Sequence, residues 1–174
     1  MQRQTLLDKY LPNYTFSEYH DILVDSASIN DVYEIGANVD MSESAFIPLL
    51  LKLRGLPVEN LKAQDFIQAM QFTVLEQNPP VEQLYSFLKT DRILPITDHN
   101  FFVDNPSGAN LKVVFSFQYH QFSDTQIKVS TETRVQCVGL KRTVQYTFYW
   151  LTIRFFSGLI RKEILKLIKR KVQK

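Results

Sequence analysis

The three histidines, His20, His99 and His120, are the side chains best suited to ligate a metal or move a proton near neutral pH. No second histidine or cysteine stands two, three or four positions beyond any of them, so no metal site is expected. Each reads as a surface or hydrogen-bonded histidine. Cys137 is the single cysteine, which excludes an internal disulfide and a cysteine zinc cluster and fits a reducing, cytoplasmic compartment. At the end of an apolar strand register, it reads as a packed thiol rather than a nucleophile. No G-x-S-x-G, P-loop or dinucleotide fingerprint occurs, so no catalytic residue is assigned and no cofactor is expected.

Three further features could carry function. Glu132 and Arg134 share one side of a strand; they form either a solvated ion pair or a polar network against the C-terminal helix with Tyr149 or Arg154. Ser157-Gly158 lies inside a long helical pattern, where glycine costs about 1 kcal/mol relative to alanine. Close packing or a kink explains it; the alternative is room for a ligand at a pocket mouth. From Arg161 to Lys174 there are seven basic residues against one acid, Glu163. That net +6 leaves −4 on the rest of a chain whose total is +2. Ile160, Ile164, Leu167 and Ile168 line one side of this tail, so it is a solvated helix face or a peripheral contact with anionic membrane. Nucleic acid is not an expected partner, because the aromatics lie elsewhere and the remainder is acidic.

The elements that must position these residues follow from periodicity. At 174 residues, with 45% hydrophobic content, the chain suits one domain, 1–174, with a real core. Thirteen Phe and eight Tyr form either a well-filled sheet–helix interface or an aromatic-lined cavity. The N-terminus, Met1 to Tyr14, lacks the apolar stretch of a secretory signal, and the longest apolar run, Ala45 to Leu51, is too short to span a bilayer. Phe16 to Val24 predicts a first strand. Ser28 with Asp31 caps a short helix ending at Gly36, Ser44 caps a second that Gly55 and Pro57 end, and a third runs from Leu61 to Met70. Phe72–Glu76 and Glu82–Lys89 flank Asn78-Pro79-Pro80 as a hairpin. Leu111 to Tyr119 and Ile127 to Cys137 alternate as strands with one wet face, joined by Gln121–Thr125. From Lys141 to Val172 the period is helical, with Val144, Phe148, Leu151, Phe155 and Leu159 predicted as the buried face. This helix would be roughly 45 Å long, so its last two turns are expected to project beyond the sheet. The order predicts an α+β fold with a curved antiparallel sheet around a long C-terminal helix.

Local patterns add a resemblance. Val24-Asp25-Ser26-Ala27, Phe72-Thr73-Val74-Leu75-Glu76 before Pro79-Pro80 and Glu82, Thr131-Glu132-Thr133-Arg134-Val135, Tyr149-Trp150 with Ile153, and Ser157-Gly158-Leu159-Ile160-Arg161 resemble the START-like, or SRPBCC, helix-grip superfamily. The similarity is to a bacterial subgroup without an assigned activity and covers nearly the whole chain. It departs at Met70-Gln71, where a glycine is expected before the phenylalanine, and at Leu84–Thr90, where the subgroup carries glycines and a tryptophan.

The resemblance implies a cavity between sheet and helix that holds an apolar small molecule such as a lipid or polyketide-like compound. Its expected walls are Tyr85, Phe87, Phe115, Phe117, Thr131 and Thr133 on the strands and Trp150 and Ile153 on the helix. The alternatives are a cyclase or hydrolase on the same scaffold, which needs polar groups converging in the cavity, and a membrane- or partner-docking protein using Arg161 to Lys174.

Overall fold

Alternation of period two carries Leu111–Ser123 (β5) and Gln126–Cys137 (β6) as long strands, paired across the predicted turn. The computed structural model describes residues 5–26, 28–105 and 107–174. Strands β1 (Phe16–Asp25), β2 (Thr73–Asn78), β3 (Glu82–Lys89) and β4 (Ile93–Leu94) complete one curved, unclosed antiparallel sheet. Its order is β1-β6-β5-β3-β2, with β4 on the end of β3. Opposed residues share a face, so Glu18, Thr133, Phe115 and Tyr85 stand in one row across the sheet. The fold is α+β.

Three short helices follow the first strand. Ser28 Oγ accepts from the Asp31 amide and caps α2 (Ile29–Ala37). That helix closes at Asn38, not at the predicted Gly36. Gly36 is needed inside it because a Cβ there would collide with the Tyr119 hydroxyl. Ser44 Oγ accepts from the Phe46 and Ile47 amides at the start of α3 (Phe46–Leu53), and Gly55, at φ +67°, takes the left-handed conformation just past its end. Then α4 (Ala63–Ala69) occupies the middle of the predicted third helix. Ala27, the last residue of the first-strand exit motif, and Met1 to Gln4 lie outside the described residues.

The inner face of the sheet meets α6 (Leu140–Val172). Its C-terminal half is the anchored end: Leu165, Leu167 and Ile168 pack with Val24, Val32, Tyr33, Tyr119, Ile127 and Val129. Each such side chain contributes about 1.5–3 kcal/mol by leaving water. Lys171 pairs with Glu43 and Gln173 donates to Asp25, so the last turns do not project as expected. The predicted buried stripe is also corrected. Val144, Phe148, Leu151 and Phe155 are exposed, and the inward face carries Tyr146, Trp150, Ile153, Ser157, Ile160, Arg161 and Ile164. Both sets recur at three- and four-residue steps, so spacing alone does not choose between them.

The expected wet face of β5 and β6 is largely covered. Two short helices absent from the sequence reading, α1 (Leu6–Tyr10) and α5 (His99–Asp104), bury Leu7, Tyr10, Leu11 and Phe102 against Leu84, Leu88 and Val114. The buried Lys112 donates to the Val103 carbonyl at 3.0 Å and lies over the Phe102 ring, and burial lowers its pKa. Glu82 accepts from the Leu6 amide and from Gln118, and burial raises its carboxyl pKa. Arg134, 8% exposed, donates to Glu132 at 2.7 Å, pairs with Asp8 at 2.8 Å and reaches the Leu11 carbonyl. The Glu132–Arg134 pair is therefore part of a half-buried network facing α1, not one facing the C-terminal helix.

Candidate functional site

A cavity of about 340 Å³ lies between the inner face of β3, β5 and β6, the N-terminal half of α6, and helices α3 and α4. That volume falls within the range of small-molecule sites, about 300–1,000 Å³. Of the sequence-predicted residues, Tyr85, Phe87, Phe115, Phe117, Thr133, Trp150 and Ile153 line it. Thr131 does not. It is fully buried behind the wall, where its hydroxyl accepts from Arg161 at 2.8 Å.

The aromatic rings hold one another rather than close the space. Tyr85 stacks on Phe115 at 5.0 Å, and Phe72 meets Phe115 edge-on at 4.9 Å and Phe87 at 5.3 Å. Trp150 stacks on Phe16 at 5.4 Å and packs with Leu111, Val113 and Val135 at the far end. Phe72 enters the cavity because Gln71, at φ +57°, turns the chain out of α4 in the left-handed conformation. This is the position where the resemblance leads one to expect glycine.

The polar groups in the wall are few. The Tyr85 hydroxyl donates to Gln83 Oε1 at 3.2 Å, and burial pushes its pKa up to about 12. The Thr133 hydroxyl is buried with no partner among the described residues. Arg161 extends from α6 into the wall, donating to Thr131 and, at 3.5 Å, to Ser157, with its guanidinium 5.2 Å from the Phe115 ring centre. Burial brings its pKa down to about 10; the charge of Glu18 opposes this and Arg54 adds to it. It stays cationic at neutral pH. Arg54 and Lys89 are the other charged residues in the wall, which contains no Asp or Glu among the described residues.

Sequence reasoning assigned Arg161 to the basic tail and missed its place here. Its spacing of three and four residues from Gly158 and Ser157 was the available signal. Ser157-Gly158 is a packing device. A Cβ on Gly158 would stand 2.5 Å from Glu18 Oε1 and 3.2 Å from His20 Nε2. These two side chains, 3.1 Å apart, sit under the helix on β1 and do not line the cavity. Cys137 borders a smaller open recess of about 230 Å³ next to Lys89, Leu111, Tyr146 and Tyr149, and burial raises its thiol pKa. His99 meets the Tyr10 ring on the outer face. No group of three or more His, Cys, Asp or Glu that could hold a metal occurs among the described residues.

No family model matches the chain, and no curated protein does. Among solved structures, a conserved protein from Geobacillus kaustophilus aligns over 91% of this chain and 95% of its own, at 9% identity and a TM-score of 0.43.

Proposed function

We propose that this protein binds an apolar small molecule, a lipid or polyketide-like compound, in the cavity between the sheet and α6. The observation that carries this reading is the aromatic-walled space itself: the rings of Phe72, Tyr85, Phe87 and Phe115 pack on one another along one side of it, Trp150 lines it from α6, and the space between stays open. The motif resemblance to the START-like superfamily supports the same reading. Covering such walls with ligand supplies about 25 cal/mol per Å² before ordering costs. No carboxylate, imidazole or thiol lines the cavity among the described residues, so holding a molecule suits it better than acid–base chemistry does. Trp150 is the only tryptophan and stands in the wall, which gives a direct readout. Titration with medium-chain alcohols should change its emission and raise the melting temperature together. Emission and melting temperature both unmoved across a chain-length series would refute binding.

A second reading, docking to an anionic membrane, is favoured by the outer face of α6. Leu140, Val144, Phe148, Leu151 and Phe155 form an exposed stripe, with Phe148 72% and Phe155 66% exposed. From Leu140 to Lys162 the only charged residues are basic, the charge pattern that suits anionic lipid. Tyr149, next to Phe148 in the chain, is exposed and also lines the cavity. The apolar side of the tail beyond Ile160 is occupied in the core, which moves this contact from Arg161–Lys174 to the helix's first half. No helix among the described residues is long and apolar enough to cross a membrane, so such a contact would be peripheral. Phe148→Glu with Phe155→Glu should abolish sedimentation with phosphatidylglycerol vesicles. Unchanged sedimentation, or a stripe buried in a dimer by ultracentrifugation, would overturn this.

A further inference from the structure

We propose that the molecule held in the cavity is an amphiphile with an anionic, carboxylate-type head, and that Arg161 receives that head. This rests on the binding reading above and narrows it to a ligand class. The cavity is apolar over most of its wall, yet each charged residue lining it, Arg54, Lys89 and Arg161, is a cation. A neutral lipid would leave that charge without use.

Arg161 is the one of the three set among the aromatic rings, over Phe115. A guanidinium has five N–H donors. The partners it has are neutral: the hydroxyls of Thr131 and Ser157. Among the described residues, no carboxylate lies within ion-pair distance of it. Glu18 is near enough to act on its charge, but it faces Gly158 and His20 rather than the cavity. Arg161 is half-buried, and partly withdrawing a cation from water without a paired anion is costly, so a counter-charge arriving with the ligand is favoured. Thr133, whose buried hydroxyl has no partner among the described residues, adds a donor in the same wall. A planar carboxylate matches the planar donor fork of arginine, which a hydroxyl or ester head does not.

The test uses the full chain and three compounds with one alkyl tail: decanoic acid, decanol and decyl phosphate. Affinities are read from Trp150 emission and calorimetry at about pH 8, where the acid is ionised. The wild type should bind decanoate at least about tenfold tighter than decanol, because hydrogen bonds to charged groups are the stronger kind. Arg161→Met should bring the two affinities together while leaving decanol binding in place, which also reports that the variant is folded. Arg161→Lys should retain part of the preference. Equal binding of acid and alcohol by the wild type would overturn the anionic-head inference and leave the cavity reading standing. Tightest binding of decyl phosphate would overturn the carboxylate assignment. Binding of none of the three would refute the cavity reading and this inference with it.

Discussion

Gly158→Ala is the substitution whose sign the structure decides. In an ordinary helix interior, alanine is favoured over glycine by about 1 kcal/mol. At position 158 the added methyl would stand 2.5 Å from Glu18 Oε1 and 3.2 Å from His20 Nε2. Glu18 is 8% exposed and one carboxylate oxygen already has no partner among the described residues. It can yield only by giving up its 3.1 Å contact with His20 or by pushing α6 off β1. Overpacking of this kind costs about 1–3 kcal/mol. The net expectation is a loss of up to about 2 kcal/mol, or a fall of some 2–4 °C in Tm per kcal/mol for a chain of this length. In a Glu18→Ala background the obstacle is gone, His20 is free to turn, and alanine at 158 should become stabilising by about 1 kcal/mol. The double-mutant cycle, read by urea denaturation, should therefore return a coupling of about 1–3 kcal/mol with a change of sign. If Gly158→Ala stabilises equally in both backgrounds, the glycine does not serve helix-on-sheet packing and α6 is not seated on Glu18 and His20 of β1.

Gln71→Gly should raise stability by about 0.5–1 kcal/mol, because the left-handed backbone at φ +57° costs a side-chain-bearing residue more than the chain entropy glycine adds; an unchanged urea midpoint would count against that turn. Tyr119→Phe removes a fully buried hydroxyl without a partner among the described residues, and should stabilise by about 1 kcal/mol. A loss of that size would mean the hydroxyl is satisfied. The Asp8 carboxyl is held below its ordinary pKa: burial pulls it upward, but hydrogen bonds from Thr5 and Arg134 outweigh that. A lowered carboxylate pKa contributes stability above the unfolded value and loses it as pH falls through the folded one. The stability gap between wild type and Asp8→Asn should therefore be full at neutral pH and shrink below about pH 4. A gap that widens in acid would reverse the assignment.

Strand positions were legible because a two-residue period leaves little choice of register once one face is apolar. β3 lies where the alternation and the Asn78-Pro79-Pro80 turn predict it, as do β5 and β6, and their inward residues Tyr85, Phe87, Phe115 and Phe117 reach the cavity. What lies on the other face was not legible. The helices that cover it, α1 and α5, have five and six residues, too few for a helical period to show above the background of the sequence. Without them the outer face of β5 and β6 read as wet, and the Glu132–Arg134 ion pair, which is present, was read without Asp8 of α1 and with the C-terminal helix as its alternative neighbour. The long helix was legible in extent but not in rotation. Its first half is apolar on two sides: Tyr146, Trp150 and Ile153 face the cavity, while Val144, Phe148, Leu151 and Phe155 are exposed.

What sets that rotation is a constraint on size and charge rather than on hydropathy. Only Gly158 can pass over the Glu18–His20 pair, so that residue must face β1. Arg161, three positions on, is carried with it onto the inner side, where Thr131 accepts its hydrogen bond. With 158 and 161 fixed, a helix of 3.6 residues per turn brings Trp150, Ile153 and Ser157 to the cavity as well. Leu151 and Val144, seven and fourteen positions before Gly158, share its side of the helix and are exposed because nothing among the described residues covers that side in the first half of α6, not because they are polar. A glycine and a cation, the two residues a hydrophobic count discards, thus place the aromatic wall and the charge within it. Read as a basic tail, Arg161 belongs to solvent; read as the partner of Gly158 on one helix face, it belongs to the cavity.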